Sequence, residues 1–560
     1  MAPDFTADTS SVLEMASAAP TSATPSGAPS STSPFARPSS TSFSPSIQNH
    51  RPRAAILGAG ISGLSASISL RRAGWSCTIF ERSLFSNETG AAITLPPNAS
   101  LCLSRWGFDF AKAELVPNWS IRFARADTLE VVMTEEYKGF GEDLGVGDGG
   151  GKGDGGGSWG VHRADLHRGL RELVGAQRVR GAAIFKAKTR EMEEEVDGAY
   201  DGTEGVPVDG GMVDIQLGKE VVGLDCEKGV IELKDGTSLE GWDLVVIADG
   251  AHSKLLPSIL PSSSTPSSQP TGRSIYRFLL PLTPSSPLLT NPALRPHFLP
   301  HSQGGPLTGF LSWHDPIRDV LWVSYPCRGG RMLNNAIVHN TPQFTTEESS
   351  PVRGWSTAVG KEEVLKVLSG FHGAVKGLLE LAYEEEGEND NVEKVEGIKV
   401  HHLFKRPALD SFVRGKAVVI GDAAHVMMPT HAAGGAIAIE SAATMEVLFR
   451  DFPSGSPPQL EEFVKHRLKL FDRLRIPRCN LTMLASNAGP KWLNVEGVEE
   501  EVRRYYQEPL PHKDALPWTK EFREVLFCYD AFEAAEEAVR KEEATNSEAE
   551  GSEVEINVTG

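Results

Sequence analysis

Apolar and polar positions follow two rhythms along this chain. Ala54 to Leu57 is a continuous apolar run, and after Gly58 the apolar residues Ile61, Leu64 and Ile68 fall at helical spacing until Gly74. A second apolar run, Cys77 to Phe80, ends on Glu81. The pattern predicts a buried strand, a tight turn, a helix and a second strand. Further on, Gly229 to Lys234 alternates as a strand, Asp235-Gly236 predicts a hairpin turn, and Trp242 to Ala248 is a more apolar run that closes on Asp249-Gly250. Ser274 to Phe278, Leu321 to Tyr325 and Asn335 to His339 read as strands with no helical crossover between them, which predicts an antiparallel sheet and a second domain. A helix is expected over Glu362 to Leu381. Then Ala417 to Ile420, a buried-type strand, leads into Gly421-Asp422-Ala423-Ala424-His425, and Ala432 to Glu440 opens a long helix of small residues.

The stretches between these elements set the boundaries. Residues 1–50 are rich in Ser, Thr and Pro and are expected to be disordered, as is the acidic tail at 540–560. A nucleotide-type domain is expected at 51–260, with flexible insertions at 141–158 and 191–211. A substrate domain follows at 270–395, the nucleotide domain returns at 396–500, and a helical region occupies 501–535. The fold class is therefore α/β, with a discontinuous Rossmann-like domain and a second α+β domain built on an antiparallel sheet.

Composition narrows the partners. The 74 acids against 55 bases leave a net charge of -19, which argues against nucleic acid or an anionic membrane surface. Six cysteines lie far apart with no C-x-x-C, as expected of free thiols in a reducing compartment. The first residues include Asp4, Asp8 and Glu14 with no apolar core segment, and no apolar run approaches bilayer length. A soluble, cytoplasmic protein without stable membrane insertion is expected. Its oligomeric state is open, and no metal site is assigned.

The candidate chemistry starts at the first turn. Gly58 permits the sharp exit from the strand, Gly60 lets backbone approach a pyrophosphate, and Gly63 lets helix and strand pack closely. The helix start offers free N–H groups to phosphates, and Glu81 stands where a dinucleotide-binding unit places its ribose acid. That stretch alone allows NAD, NADP or FAD. Arg163, between a strand-like segment and a helix, is a candidate cofactor contact. Asp249 and Asp422 each end a strand, where an open α/β sheet presents groups to a ligand. Gly434-Gly435 at a helix start would let a flat ring lie close, with the helix dipole favouring negative charge there.

Four separated motifs occur together: G-x-G-x-x-G with Glu81-Arg82, His162-Arg163-Ala164-Asp165-Leu166, Asp243 to Gly250, and Gly421-Asp422-Ala423-Ala424-His425 through Pro429. With Gly90 to Ile93, Pro97-Asn98, Tyr276-Arg277, Tyr325 to Gly330 and Tyr529-Asp530-Ala531, the chain resembles the class A flavoprotein aromatic hydroxylases over residues 53 to 535. It is most similar to the salicylate hydroxylase-like branch common in fungi. The resemblance implies FAD, with Glu81 on the adenosine ribose, Ala92 and Arg163 touching the cofactor, Asp422 on the ribityl chain and Gly435 against the isoalloxazine. It implies NAD(P)H as a co-substrate that visits without a second Rossmann domain. Three departures stand out, the extra insertions at 141–158 and 191–211 being one. Ala433, Ala436, Ile437 and Ser441 replace polar positions of the family's segment over Pro429 to Ala442, and Ser253-Lys254 stands where the Asp-Gly motif normally closes with an arginine.

The implied reaction is hydroxylation of a small, phenolic aromatic substrate with NAD(P)H and O2. Tyr276 and Arg277, on a strand expected to face the flavin, are the candidate catalytic residues, with His431 a weaker third. Epoxidation or another flavin oxidation on the same fold is the runner-up, and a flavin-binding protein without turnover is the alternative from a different class.

Overall fold

The computed structural model describes residues 51–85, 91–118, 120–136, 157–175, 178–180, 211–260, 268–283, 285–298, 309–341, 357–383, 397–454, 456–515 and 519–558. For 178–180 and 546–558 only the backbone is described. The first 50 residues lie outside this set, as do both insertions apart from Gly157, Ser158 and Gly211.

Ala54 to Leu57 are all buried, as a central strand covered on both faces requires. That strand, β1 (Arg53–Leu57), is followed by α1 (Ile61–Arg72) and β2 (Ser76–Glu81). Next in the chain are β3 (Ala92–Leu95), α2 (Pro97–Trp106), β4 (Ser120–Arg125), β5 (Val131–Glu136), β6 (Trp159–His162) and α3 (Arg163–Val174). They are followed by β7 (Arg178–Arg180), β8 (Val213–Leu217) and β9 (Leu244–Ile247). The second half brings β10 (Gln269–Pro281), β11 (Phe310–Asp315), β12 (Val320–Cys327), β13 (Met332–Asn340), β14 (Thr357–Ala358), β15 (Lys399–Lys405), β16 (Val413–Arg414) and β17 (Ala417–Val419). The long helices at the end are α4 (Gly434–Phe449), α5 (Pro457–Ala488), α6 (Lys520–Leu526) and α7 (Ala531–Val558).

One sheet has seven strands in the order β16-β17-β9-β1-β2-β8-β7. β9 pairs in parallel with β1 on one side and with β17 on the other, so three distant chain segments end side by side. This is why the motifs after β1, β9 and β17 share one edge of the molecule although the sequence separates them. α1 packs along α4, and both helices are rich in small residues.

The other large sheet has eight strands, in the order β14-β15-β10-β13-β12-β11-β4-β5. Its pairings are antiparallel except that β4 runs parallel to β11. The domain boundaries differ from those expected. β4 and β5 fall inside 51–260 yet belong to this second sheet, and so does β15, which lies beyond 396. Two further expectations are corrected. The helix over 362–381 is broken into Lys361–Val367, Gly373–Lys376 and Leu378–Tyr383, with Gly370, Gly373 and Gly377 at the breaks. The acidic tail continues as helix to Val558, because Ala531, Phe532 and Ala535 are buried in the main core and Arg540–Glu536 and Lys541–Glu537 pairs extend it. Among the described residues no helix is long and apolar enough to cross a membrane. All six cysteines are free, five of them buried.

Candidate active site

The glycine turn is tight against its neighbours. Gly58 has φ +110° and its absent Cβ would lie 2.5 Å from the Ala248 carbonyl, so the turn after β1 touches the end of β9. A Cβ on Gly63 would sit 1.9 Å from the Gly58 carbonyl oxygen, whereas one on Gly60 would meet nothing within 4 Å. Gly60 is the N-cap of α1 and brings no side-chain cap, which leaves the helix start open to an anion. Glu81 closes the turn from β2, its Oε2 accepting from Ala59 N at 2.7 Å and its Oε1 from Ser83 N at 2.7 Å. His167 on α3 bonds the Ala59 carbonyl from the other side at 2.7 Å.

Asp422 follows β17 and is solvent-accessible in a recess. The surrounding protein pushes its carboxyl above the usual aspartate value, against the pull of Arg163 and Arg406. A Cβ on Gly434 would lie 3.9 Å from Asp422 Oδ1, and one on Gly435 would lie 3.9 Å from Ile93 Cδ1. The start of α4, the Asp422 carboxylate and β3 therefore border one slot. Arg163, exposed at the first position of α3, donates its backbone N–H to Ala91 O at 3.3 Å and is close enough to act electrostatically on Asp422.

The second sheet roofs this slot. Ala92 N donates to Asn334 Oδ1 at 2.9 Å, and the Tyr325 hydroxyl donates to Ala92 O at 2.7 Å. Tyr325 stacks on Phe310 at 5.5 Å with 9° between the rings. Period-two alternation along β10 puts Arg277 on the same face as Leu279, which packs with Ala92 and Tyr325. Arg277 is partly buried, its Nε has no hydrogen-bond partner among the described residues, and burial together with Arg163 lowers its pKa.

The same alternation corrects the assignment of Tyr276. Adjacent strand residues point to opposite faces, so Tyr276 lies with Phe278 and Leu280 in the core of the second domain. Its hydroxyl donates to Glu363 Oε1 at 3.1 Å and its ring lies 4.2 Å from that of His339. Tyr276→Phe is expected to leave turnover within about twofold of wild type and to cost about 1 kcal/mol in urea denaturation, from one lost hydrogen bond. His431 is also withdrawn from the slot. It is fully buried against Phe522, with Nδ1 3.3 Å from Ser486 Oγ, and burial pushes its pKa down to about 3, which keeps it neutral.

Sequence reasoning missed Arg406. Lys254 does not replace the arginine lacking from the Asp-Gly motif, because its Nζ pairs with Glu220 at 2.9 Å. Instead buried Arg406 donates to Ala423 O at 3.0 Å and to Ala251 O at 3.2 Å, tying the loop after β9 to the loop after β17. Its charge acts on both Asp249 and Asp422. Asp249 accepts from Lys254 N at 3.0 Å through Oδ2, while its Oδ1 is buried without a partner among the described residues.

The residues present suit a long dinucleotide: an open helix N-terminus, an acid at the end of β2, a recessed aspartate and a slot bounded by Ile93 and Gly435. Asp422→Ala tests that fit. The variant is expected to weaken FAD binding by about tenfold or more, read by flavin fluorescence. Without cofactor it should be more stable than wild type at neutral pH, because a raised carboxyl pKa costs stability when ionised, and the difference should shrink as pH falls through the raised native value and be gone below the usual aspartate value of 3.8.

Comparison with known proteins agrees. Residues 53–319 match the FAD dependent oxidoreductase family. The FAD-dependent monooxygenase cfoG of Aspergillus candidus is 26% identical over 488 residues, covering 87% of this chain and 94% of its own. Hispidin-3-hydroxylase of Neonothopanus nambi is 26% identical over 440 residues, covering 77% and 86%. A salicylate hydroxylase substrate complex superposes with a TM-score of 0.60 at 19% identity, covering 87% of this chain and 98% of that one. Residues 53–319 are thus similar to the FAD dependent oxidoreductase family, and the chain shares the fold of a salicylate hydroxylase.

Proposed function

We propose that this protein is an FAD-dependent monooxygenase that hydroxylates an aromatic substrate bearing an acidic oxygen, with NAD(P)H as reductant and O2 as oxygen source. One oxygen atom enters the ring as hydroxyl and the other leaves as water, while NAD(P)H gives up a hydride. The relatives named as FAD-dependent monooxygenases and as a hispidin hydroxylase support this reading. FAD would supply the redox chemistry and the activation of oxygen.

The observation that carries the substrate class is Arg277. A partly buried guanidinium whose Nε has no partner among the described residues is costly unless something arrives to pair with it. Around it the roof is aromatic and apolar, from Tyr325, Phe310 and Val323. A flat ring carrying a phenolate or carboxylate meets both demands. Glu81 and Asp422 would hold the ribose and ribityl hydroxyls, Gly58, Gly60 and Gly63 the pyrophosphate, Ala92, Arg163 and Gly435 the remaining faces of the cofactor.

The test uses purified protein with a panel of phenols and aromatic acids under 18O2. A yellow protein whose NAD(P)H oxidation is stimulated by a substrate, with one labelled atom in the product, supports the proposal. The apolar replacements at Ala433, Ala436 and Ile437 favour one second reading, a flavin-binding protein without turnover. Bound FAD that NAD(P)H never reduces, with any member of the panel, is the outcome that reading requires.

A further inference from the structure

Glu440 lies on α4 with none of its side chain exposed. It accepts from Arg475 Nη2 at 2.8 Å, from Arg478 Nη2 at 2.9 Å and Nε at 3.2 Å, and from Asn98 Nδ2. Arg478 also donates to the carbonyls of Val525 and Leu526, and the Tyr529 ring lies 4.8 Å from the Arg478 guanidinium and 5.7 Å from that of Arg475. Four chain segments thus meet at one carboxylate: α2, α4, α5 and the stretch from Val525 to Tyr529.

Two buried cations on one anion make a poor source of stability, since the desolvation cost rivals the attraction. What the cluster does well is fix distances. Asn98 is the second residue of α2, five positions after Ile93, and Glu440 is five positions after Gly435. Ile93 and Gly435 border the slot side by side, near van der Waals spacing. Their two segments are therefore joined behind the slot, about 7 Å along the α4 axis, by a charge-assisted hydrogen bond. Asn98 uses only Nδ2 for this, because its Oδ1 has no partner among the described residues.

We propose that Asn98 and Glu440 are positioning residues that fix β3 against the start of α4, and so set the shape of the edge on which a flat ring is held there. Neither residue is assigned a contact with the ring. The inference rests on the reading that the slot takes the flavin of FAD. None of the clamp's hydrogen bonds reaches the glycine turn or Glu81.

That separation supplies the test. Asn98→Leu keeps side-chain size and leaves Glu440 with its three guanidinium bonds, so the ion cluster survives. Deflavinated wild type and N98L are titrated with FAD and with ADP, which engages only the glycine-turn end. The expected result is a roughly tenfold weaker FAD affinity, ADP affinity unchanged, and an altered visible spectrum of the bound flavin. Asn98→Gln, which retains the amide, should recover part of the FAD affinity. Equal FAD affinity and spectrum in N98L and wild type overturn the clamp, and so does a parallel loss for FAD and ADP, which is what a merely structural role would give. Wild-type protein that binds ADP but not FAD overturns the flavin reading, and the slot with it.

Discussion

Gly63→Ala is expected to lose a large share of its stability, and Gly60→Ala to fold and fail at binding. A Cβ at position 63 would lie 1.9 Å from the Gly58 carbonyl oxygen and 3.3 Å from Ile56 Cγ2. The first contact is with backbone just past the end of β1, so no side chain can swing aside to relieve it. Strand and helix must separate, at a cost of about 3 kcal/mol or more. That is a large share of a typical stability of about 5–15 kcal/mol. Gly60 differs, with φ −71° and open space where its Cβ would be. Its alanine variant should keep the stability of the cofactor-free protein within about 1 kcal/mol. The open space is where the backbone has to admit a pyrophosphate, so FAD affinity should fall at least about tenfold. Urea denaturation and flavin titration of the two variants separate the roles, and wild-type FAD affinity in Gly60→Ala would show that no phosphate approaches that turn.

What could be read in advance divides along physical lines. The glycine turn, Glu81 and the strand ends at Asp249 and Asp422 were legible because each is a local pattern whose chemistry follows from a few neighbouring residues. The return of β9 and β17 to β1 followed from their apolar runs. The allegiance of β4 and β5 was not legible, because it rests on a parallel pairing with β11 across almost two hundred residues and leaves no local trace. Tyr276 and Arg277 were both placed toward the cofactor, although alternation guarantees that only one of two adjacent strand residues faces it. Which one depends on where the second core sits, and Phe278 and Leu280, sharing parity with Tyr276, were the available signal. Glu440 also left a signal that went unread. An acid among the apolar and small residues of the first half of α4 needs a buried partner, and Arg475 and Arg478, three apart on α5, are one helical face.

Arg277 carries the largest expected effect on catalysis. Arg277→Met should lower kcat/KM by about a hundredfold to a thousandfold, the range for removing one preorganised charge-stabilising donor, while FAD affinity stays within about twofold. The reasoning is electrostatic. The guanidinium is held in a recess where burial and Arg163 both disfavour its charge, and Tyr325 is the neighbour that favours it only when ionised. Tyr325 does not ionise near neutral pH, because burial raises its pKa far above the usual tyrosine value. On the proposed reading, an anionic oxygen of the substrate would balance that positive charge. Arg277→Lys keeps the charge but loses the planar fork, and should fall between wild type and methionine. If the anion also holds the ring in register, the methionine variant should oxidise NAD(P)H with less product formed per equivalent consumed. Product yield is read by chromatography against NAD(P)H absorbance, and unchanged kcat/KM with unchanged coupling in Arg277→Met would remove Arg277 from the substrate site.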